Sequence, residues 1–178
     1  GAKGARLWVT ADHFGQHSIF SIDVRSGKEK LVIKDGSNSS PMETDRGVLY
    51  LRNDLRSPAD FFVASASGGN ERRLSTINQK RLESVGFGDA EPFSFQGAKG
   101  DTVYGYVVKP VGFEANQKYP IAFLIHGGPQ GSFGNSFHYR WNPQTYAGAG
   151  YASVMIDFHG STGYGQAFTD AIRGDWGG

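Results

Sequence analysis

Cysteine is absent from the 178 residues, which removes both a disulfide frame and thiolate chemistry. That absence fits periplasm and cytoplasm alike; the periplasm is the expectation and the cytoplasm the alternative. Long apolar runs are missing too. The longest is Ile121-Ala-Phe-Leu-Ile125, far below the roughly 20 residues that a helical membrane span needs. The first seven residues lack the charged-then-apolar layout of a secretory leader. They run straight into a strand pattern, so the chain is expected to begin inside a domain. Charge of one sign is equally scarce. The net charge is +1 and no basic run exceeds Arg72-Arg73, so neither nucleic acid nor an acidic membrane is an expected partner.

Glycine and aromatic side chains are abundant instead: 26 glycines and 13 % aromatics, a composition that suits strands and tight turns. Up to about residue 88 the sequence reads as short strands, at 6–10, 17–24, 29–33, 47–52, 60–64 and 71–74. Ser26-Gly27 and Gly68-Gly69 supply hairpin turns. A repeat underlies them. Leu7-Trp8-Val9 aligns with Val48-Leu49-Tyr50, an offset of 48 − 7 = 41, and the same offset pairs Phe20 with Phe61, Ile22 with Val63 and Gly27 with Gly68. A period near 40–45 residues with about four strands per unit is the spacing of β-propeller blades. The alternative is a chance likeness between two hairpins.

The pattern changes after Gly88. Phe93-Ser94-Phe95 and residues 103–108 predict a hairpin around 96–101, and Lys109-Pro110-Val111-Gly112 breaks it. Residues 121–125 and 153–158 are apolar runs of strand length, expected to be buried on both faces of a parallel sheet. Between them Asn142-Pro143 opens a short helix that Gly150 ends. Gly165 leads into a second helix over 166–173, stopped by Gly174. Strand–helix–strand–helix after a hairpin predicts an α/β domain.

His126-Gly127-Gly128-Pro129 follows the first of these apolar strands directly. In an α/β-hydrolase the loop after the third strand offers a backbone N–H to the oxyanion of the tetrahedral intermediate. Glycine permits close approach, and proline fixes the turn. Gly128 is therefore the candidate donor, with His126 and Gly127 supporting the loop. The bland alternative is a plain strand-end turn. His126 itself is a poor candidate for the catalytic base, because in this fold the order is serine, acid, histidine. The nucleophile elbow G-x-S-x-G does not occur. Ser132 lacks the first glycine and Ser161 follows His159-Gly160, so both read as turn hydroxyls. The segment 160–165 has glycines spaced G-x-x-G-x-G, the reverse of a dinucleotide loop, and no P-loop lysine follows. Asp157, Asp170 and Asp175 are single carboxylates without metal or acid/base spacing, and Trp176 is expected to pack. Phe133, Phe137, Tyr139 and Trp141 surround Arg140 just after the glycine loop. They are candidates for a substrate pocket, or else core residues with one surface charge.

Together, Tyr119-Pro120, His126 to Gln130, Ser136-Phe137-His138-Tyr139-Arg140-Trp141-Asn142, His159 to Phe168 and the closing Asp170-Ala-Ile-Arg-Gly-Asp-Trp-Gly-Gly178 resemble the prolyl oligopeptidase family, in its acylaminoacyl-peptidase and dipeptidyl-peptidase 5 branch. The close match covers residues 90–178; the preceding part resembles the last propeller blades of that family. The resemblance implies a seven- or eight-bladed propeller joined to an α/β-hydrolase domain, here residues 1–88 and 89–178. It implies hydrolysis of short peptides through a serine acyl-enzyme, with no metal or cofactor. Gly128 would give the loop donor of the oxyanion hole. The serine, aspartate and histidine of the triad are not in this chain. His159 stands where many relatives carry arginine and dipeptidyl-peptidase 5-like members often carry histidine, which points to dipeptide release. Expected partners are a short peptide and either the remainder of the enzyme or another copy, one of which would pair with the outer edge of strand 121–125. The competing function is a non-catalytic, propeller-type binding module.

Overall fold

A computed structural model describes residues 4–176; Gly177 and Gly178, which close the last motif above, lie outside them. The chain divides into two compact units. One runs up to Ser84 and includes Asn135–Phe137; the other comprises Val85–Gly134 and the chain from His138 onward.

The first unit is built from β1 (Arg6–His13), β2 (Gln16–Asp23), β3 (Glu29–Ile33), β4 (Ser37–Thr44), β5 (Gly47–Asp54), β6 (Ser57–Ala64) and β7 (Arg72–Arg73). β1, β2 and β3 form one antiparallel meander, and β4 to β7 form another. A single parallel bridge, His17 with Ser37, joins them. The 41-residue offset carries both ends of β1 onto β5 and of β2 onto β6 (6 + 41 = 47, 13 + 41 = 54, 16 + 41 = 57, 23 + 41 = 64). Gly27 and Gly68 both hold positive φ, at +71° and +96°, as the repeat requires of its turns. Ile19, Ile33, Val48, Tyr50 and Ala64 form the core, with Trp8, Val32 and Phe62 packed on it. Full burial of the Ile and Val side chains among them is worth about 1.5–3 kcal/mol each. The Tyr50 hydroxyl donates to Glu71 at 2.5 Å, and Arg52 holds both Glu71 oxygens at 2.6 Å. Burial and the Glu71 bond push the Tyr50 phenol well above its usual range, so it remains a donor. Residues 135–137 close the two equivalent hairpin tips: Asn135 donates its N–H to Gly15 O, its side-chain oxygen accepts from Leu55 N–H, and Phe137 N–H donates to Asn53 Oδ1.

In the second unit, β8 (Ala90–Gln96), β9 (Thr102–Val108), β10 (Ile121–Leu124) and β11 (Ala152–Asp157) form one mixed sheet in the order β10-β11-β9-β8. A short helix, α1 (Gln79–Leu82), closes the first unit; α2 (Pro143–Gly148) and α3 (Gln166–Asp170) belong to the second. The hairpin predicted around 96–101 pairs Phe95 with Val103. α2 starts at the predicted cap, where the Asn142 side chain accepts from Gln144 N–H at 3.0 Å, and Gly150 follows it at φ +87°. α2 links β10 to its parallel neighbour β11 and packs on β11. The second helix is shorter than the expected 166–173, because turns take over after Asp170. The largest departure is β10. It was expected to be buried on both faces, yet Ile121, Phe123 and Ile125 are 66 %, 50 % and 66 % exposed. Among the described residues β11 is its only strand partner, and no element covers its second face.

Candidate active site

The register of the parallel pair decides what stands beside the glycine loop. Leu124 is opposite Met155, so two residues further along both strands His126 comes level with Asp157. In open α/β sheets these carboxyl ends of parallel strands are where ligands bind. Gly128 has φ +138°, and a Cβ there would lie 2.8 Å from Gln130 N and 2.9 Å from Gln130 O. The position thus demands glycine on two grounds. Among the described residues, neither the Gly127 nor the Gly128 N–H has a hydrogen-bond acceptor.

The flanks of this loop, by contrast, are tightly held. Asp157 is 3 % exposed. It accepts from the Ser132 hydroxyl at 2.5 Å, the Phe133 N–H at 3.0 Å and the Tyr164 hydroxyl at 2.7 Å. His126 Nε2 lies 3.5 Å from Oδ1, the oxygen that also accepts from Phe133, and 2.9 Å from Ser161 Oγ. His126 Nδ1 is 3.1 Å from the Gly127 carbonyl. A carbonyl only accepts, so in the neutral ring Nδ1 carries the proton and Nε2 accepts from Ser161. The ring stacks on Phe158 at 4.5 Å and meets Phe133 edge-on at 5.5 Å. Thr162 N–H donates to Gly131 O at 2.9 Å, a further tie between the two strand-end loops. Burial, then the charge of Asp157 beside it, pushes the Tyr164 phenol far above its ordinary range.

Ser161, His126 and Asp157 meet without forming a nucleophilic triad. Ser161 is fully buried. Both it and Asp157 approach the same ring nitrogen, Nε2, whereas a triad needs the acid on the opposite nitrogen. Ser132 is spent on Asp157.

A cavity of about 440 Å³ opens beside the loop, lined in part by Phe123, His126, Gly127, Phe133, Trp141 and Tyr146. Of the expected pocket residues it therefore gathers Phe133 and Trp141. Arg140 lies over the Trp141 ring at 4.6 Å, and Tyr139 is 83 % exposed. Phe137 belongs to the first unit. Tyr146 lines the cavity although the sequence singled out only its neighbours. The more consequential omission is the set Ser132, Asp157, Ser161 and Tyr164: from sequence Ser132 and Ser161 read as turn hydroxyls, Asp157 as a single carboxylate, and Tyr164 has no role of its own. The available signal was an acidic residue ending the strand parallel to the one that carries the glycine loop. His159 is held by Asp101 at 2.9 Å and packs against Phe168 at 4.8 Å.

The second unit thus defines an open mixed sheet with a glycine loop and a cavity at the carboxyl ends of its parallel strands. Residues 137–178 match the model of the prolyl oligopeptidase family. Over 184 aligned residues the chain is 43 % identical to dipeptidyl-peptidase 5 of Trichophyton equinum, covering 99 % of this chain and 25 % of that protein. It is 42 % identical, with the same coverage, to dipeptidyl-peptidase 5 of Arthroderma benhamiae. In structure it superposes on Pyrococcus horikoshii acylaminoacyl peptidase with a TM-score of 0.80 at 22 % identity, over 95 % of this chain and 26 % of that one. Porphyromonas gingivalis dipeptidyl peptidase 4 gives a TM-score of 0.72 at 16 % identity, over 96 % and 25 %. The chain belongs to the prolyl oligopeptidase family, and it spans about a quarter of the length of the curated relatives it matches.

Proposed function

We propose that this chain is the oxyanion-loop portion of a serine-type exopeptidase that releases dipeptides or acylated residues from short peptides through an acyl-enzyme. On this reading residues 1–88 are the last blades of a β-propeller, and residues 89–178 are the first part of an α/β-hydrolase domain. The triad comes from elsewhere in the enzyme. The outer edge and exposed face of β10 take their cover from the remainder of the same enzyme.

The observation that carries the reading is the pair of N–H groups without acceptors at Gly127 and Gly128, presented at a strand end beside an apolar cavity. Attack on a peptide carbonyl turns its oxygen into an oxyanion. A donor already in place stabilises that charge without reorganising during the reaction. Gly128 supplies one donor; the residue after the nucleophilic serine supplies the other. The identity to dipeptidyl-peptidase 5 proteins supports dipeptide release over removal of an acylated residue.

Gly128→Val in the complete enzyme tests the assignment. Because one oxyanion donor contributes about 3 kcal/mol, kcat on a dipeptidyl arylamide should fall roughly a hundredfold, with KM nearly unchanged. A folded Gly128→Val enzyme with the kcat of the parent would refute it.

A further inference from the structure

We propose that Asp157 is a positioning residue for catalysis: its buried carboxylate, by taking the Ser132 hydroxyl, the Phe133 N–H and the Tyr164 hydroxyl together, fixes the loop that aims the Gly128 N–H. The inference rests on the oxyanion reading of that loop and adds the residue that makes it rigid.

The loop from His126 to Phe133 leaves the sheet at the end of β10; Pro129 fixes one φ, but Gly127, Gly128 and Gly131 leave the rest of its backbone free. At its far end two consecutive residues bind one carboxylate, Ser132 through Oγ at 2.5 Å and Phe133 through its N–H at 3.0 Å. That carboxylate is the last side chain of the neighbouring parallel strand, so it is as rigid as the sheet. At the near end the His126 ring is locked by Ser161 and by stacking on Phe158. Gly127 and Gly128 lie between the two clamps. Hydrogen bonds to an ionised acceptor are shorter and roughly twice as strong as neutral ones. An aspartate also donates nothing itself, so it cannot relax by pairing with the loop carbonyls. Tyr164 donates to Oδ2, the oxygen that Ser132 also uses, and its ring stacks flat on Tyr104 at 5.0 Å. Burial keeps its phenol protonated, so it donates throughout the working pH range. A misplacement of about 1 Å in a reacting geometry can cost on the order of a hundredfold in rate, which is why a residue that touches no substrate can govern turnover.

The test uses the complete enzyme and four variants. Asp157→Ala should lower kcat at least about tenfold, leave KM within about twofold, and weaken binding of a peptidyl boronate by a factor comparable to the loss of kcat/KM. The boronate adduct presents a tetrahedral oxyanion, so its affinity reads the hole directly. Asp157→Asn keeps one oxygen for the Phe133 N–H and should recover most of that loss. Tyr164→Phe keeps the stacked ring and removes one donor; kcat should fall severalfold at an unchanged melting temperature. Ser153→Ala is the control. It removes a fully buried hydrogen bond to Pro143 O from the same strand, away from the loop, and should lower the melting temperature with kcat intact. If Asp157→Ala fails to fold, Tyr164→Phe decides. The proposal is overturned if Asp157→Ala or Tyr164→Phe retains parental kcat and boronate affinity, or if KM alone changes. It is overturned together with the oxyanion reading if Gly128→Val keeps full kcat. If Gly128→Val loses kcat while the Asp157 and Tyr164 variants do not, the oxyanion reading stands and the positioning role alone is wrong.

Discussion

Replacing Asp60 by alanine strips the first unit of the acid that fastens its outer edge. The carboxylate is 1 % exposed. One oxygen accepts the Ser75 hydroxyl at 2.5 Å and the Ile77 N–H at 3.2 Å, and the other pairs with Arg73. Ser75 Oγ in turn accepts the Phe61 N–H, and Leu74 N–H donates to Phe61 O. One side chain thereby pins residues 73–77 to β6, where β7 contributes only two residues of ladder. Breaking a buried ion pair from one side typically costs about 3–5 kcal/mol. Here the Arg73 side chain is 34 % exposed and can re-solvate, so the expected loss is about 2–3 kcal/mol, in line with hydrogen bonds to a charged group. At about 1.4 kcal/mol per factor of ten, that is a rise of roughly 30- to 150-fold in hydrogen exchange of the Phe61 and Leu74 amides at neutral pH. The pH dependence has a definite sign. Burial raises the carboxyl, but Ser75, Arg73 and the Ile77 N–H together hold it below the ordinary aspartate range. A folded-state pKa below the unfolded one contributes stability at higher pH, and that contribution is lost as the pH falls from about 4 through the folded value. Local protection of Phe61 and Leu74, corrected for intrinsic exchange, should therefore decline below about pH 4 in the parent and not in Asp60→Ala. Exchange in Asp60→Ala within about twofold of the parent at pH 7 would refute the argument, since even the lower bound predicts more.

Two further outcomes bear on the second unit. Gly105→Ala should destabilise it by about 1–3 kcal/mol, because the added Cβ would stand 2.3 Å from Met155 O and 2.8 Å from the Phe93 ring; a thermal melt of the complete enzyme within a degree of the parent would count against this packing. Asn142→Ala should cost α2 about 1 kcal/mol, read as faster exchange at the Gln144 amide, while Asn142→Ser should recover most of the protection.

The repeat was legible because it lies in local chemistry: turn glycines and core side chains recur at the 41-residue offset, so matching strands share their bounds. β4 was not legible. Ser37–Thr44 is nearly all polar and contains Pro41. It is a strand because of what it meets: Asn38 is fully buried, donating to the His17, Asp35 and Gly36 carbonyls and accepting from Arg52. The same tertiary override explains Asp60. It occupies the repeat position of Ile19 (19 + 41 = 60), and both are buried. A hydrophobic pattern identifies the first as core. It cannot identify the second, whose burial depends on Arg73 of β7 and Ser75 just beyond it.

The candidate site divides along the same physical line. The glycine loop could be read from four consecutive residues, because proline fixes φ and glycine permits backbone conformations that other residues rarely reach, wherever they occur. Its support could not. The donors to Asp157 come from 24 and 25 residues before it and seven residues after it, and each alone is an ordinary hydroxyl or amide. What makes them one structure is the parallel register that brings Asp157 level with His126, and register is a property of the sheet. A carboxylate buried this deeply would destabilise the fold unless several donors compensated it. The chain places three of them there, while among the described residues the Gly127 and Gly128 N–H groups have no acceptor. Gly127 and Gly128 are exposed, so their N–H groups are open to solvent, and on the proposed reading a substrate oxygen takes the place of that solvent at Gly128.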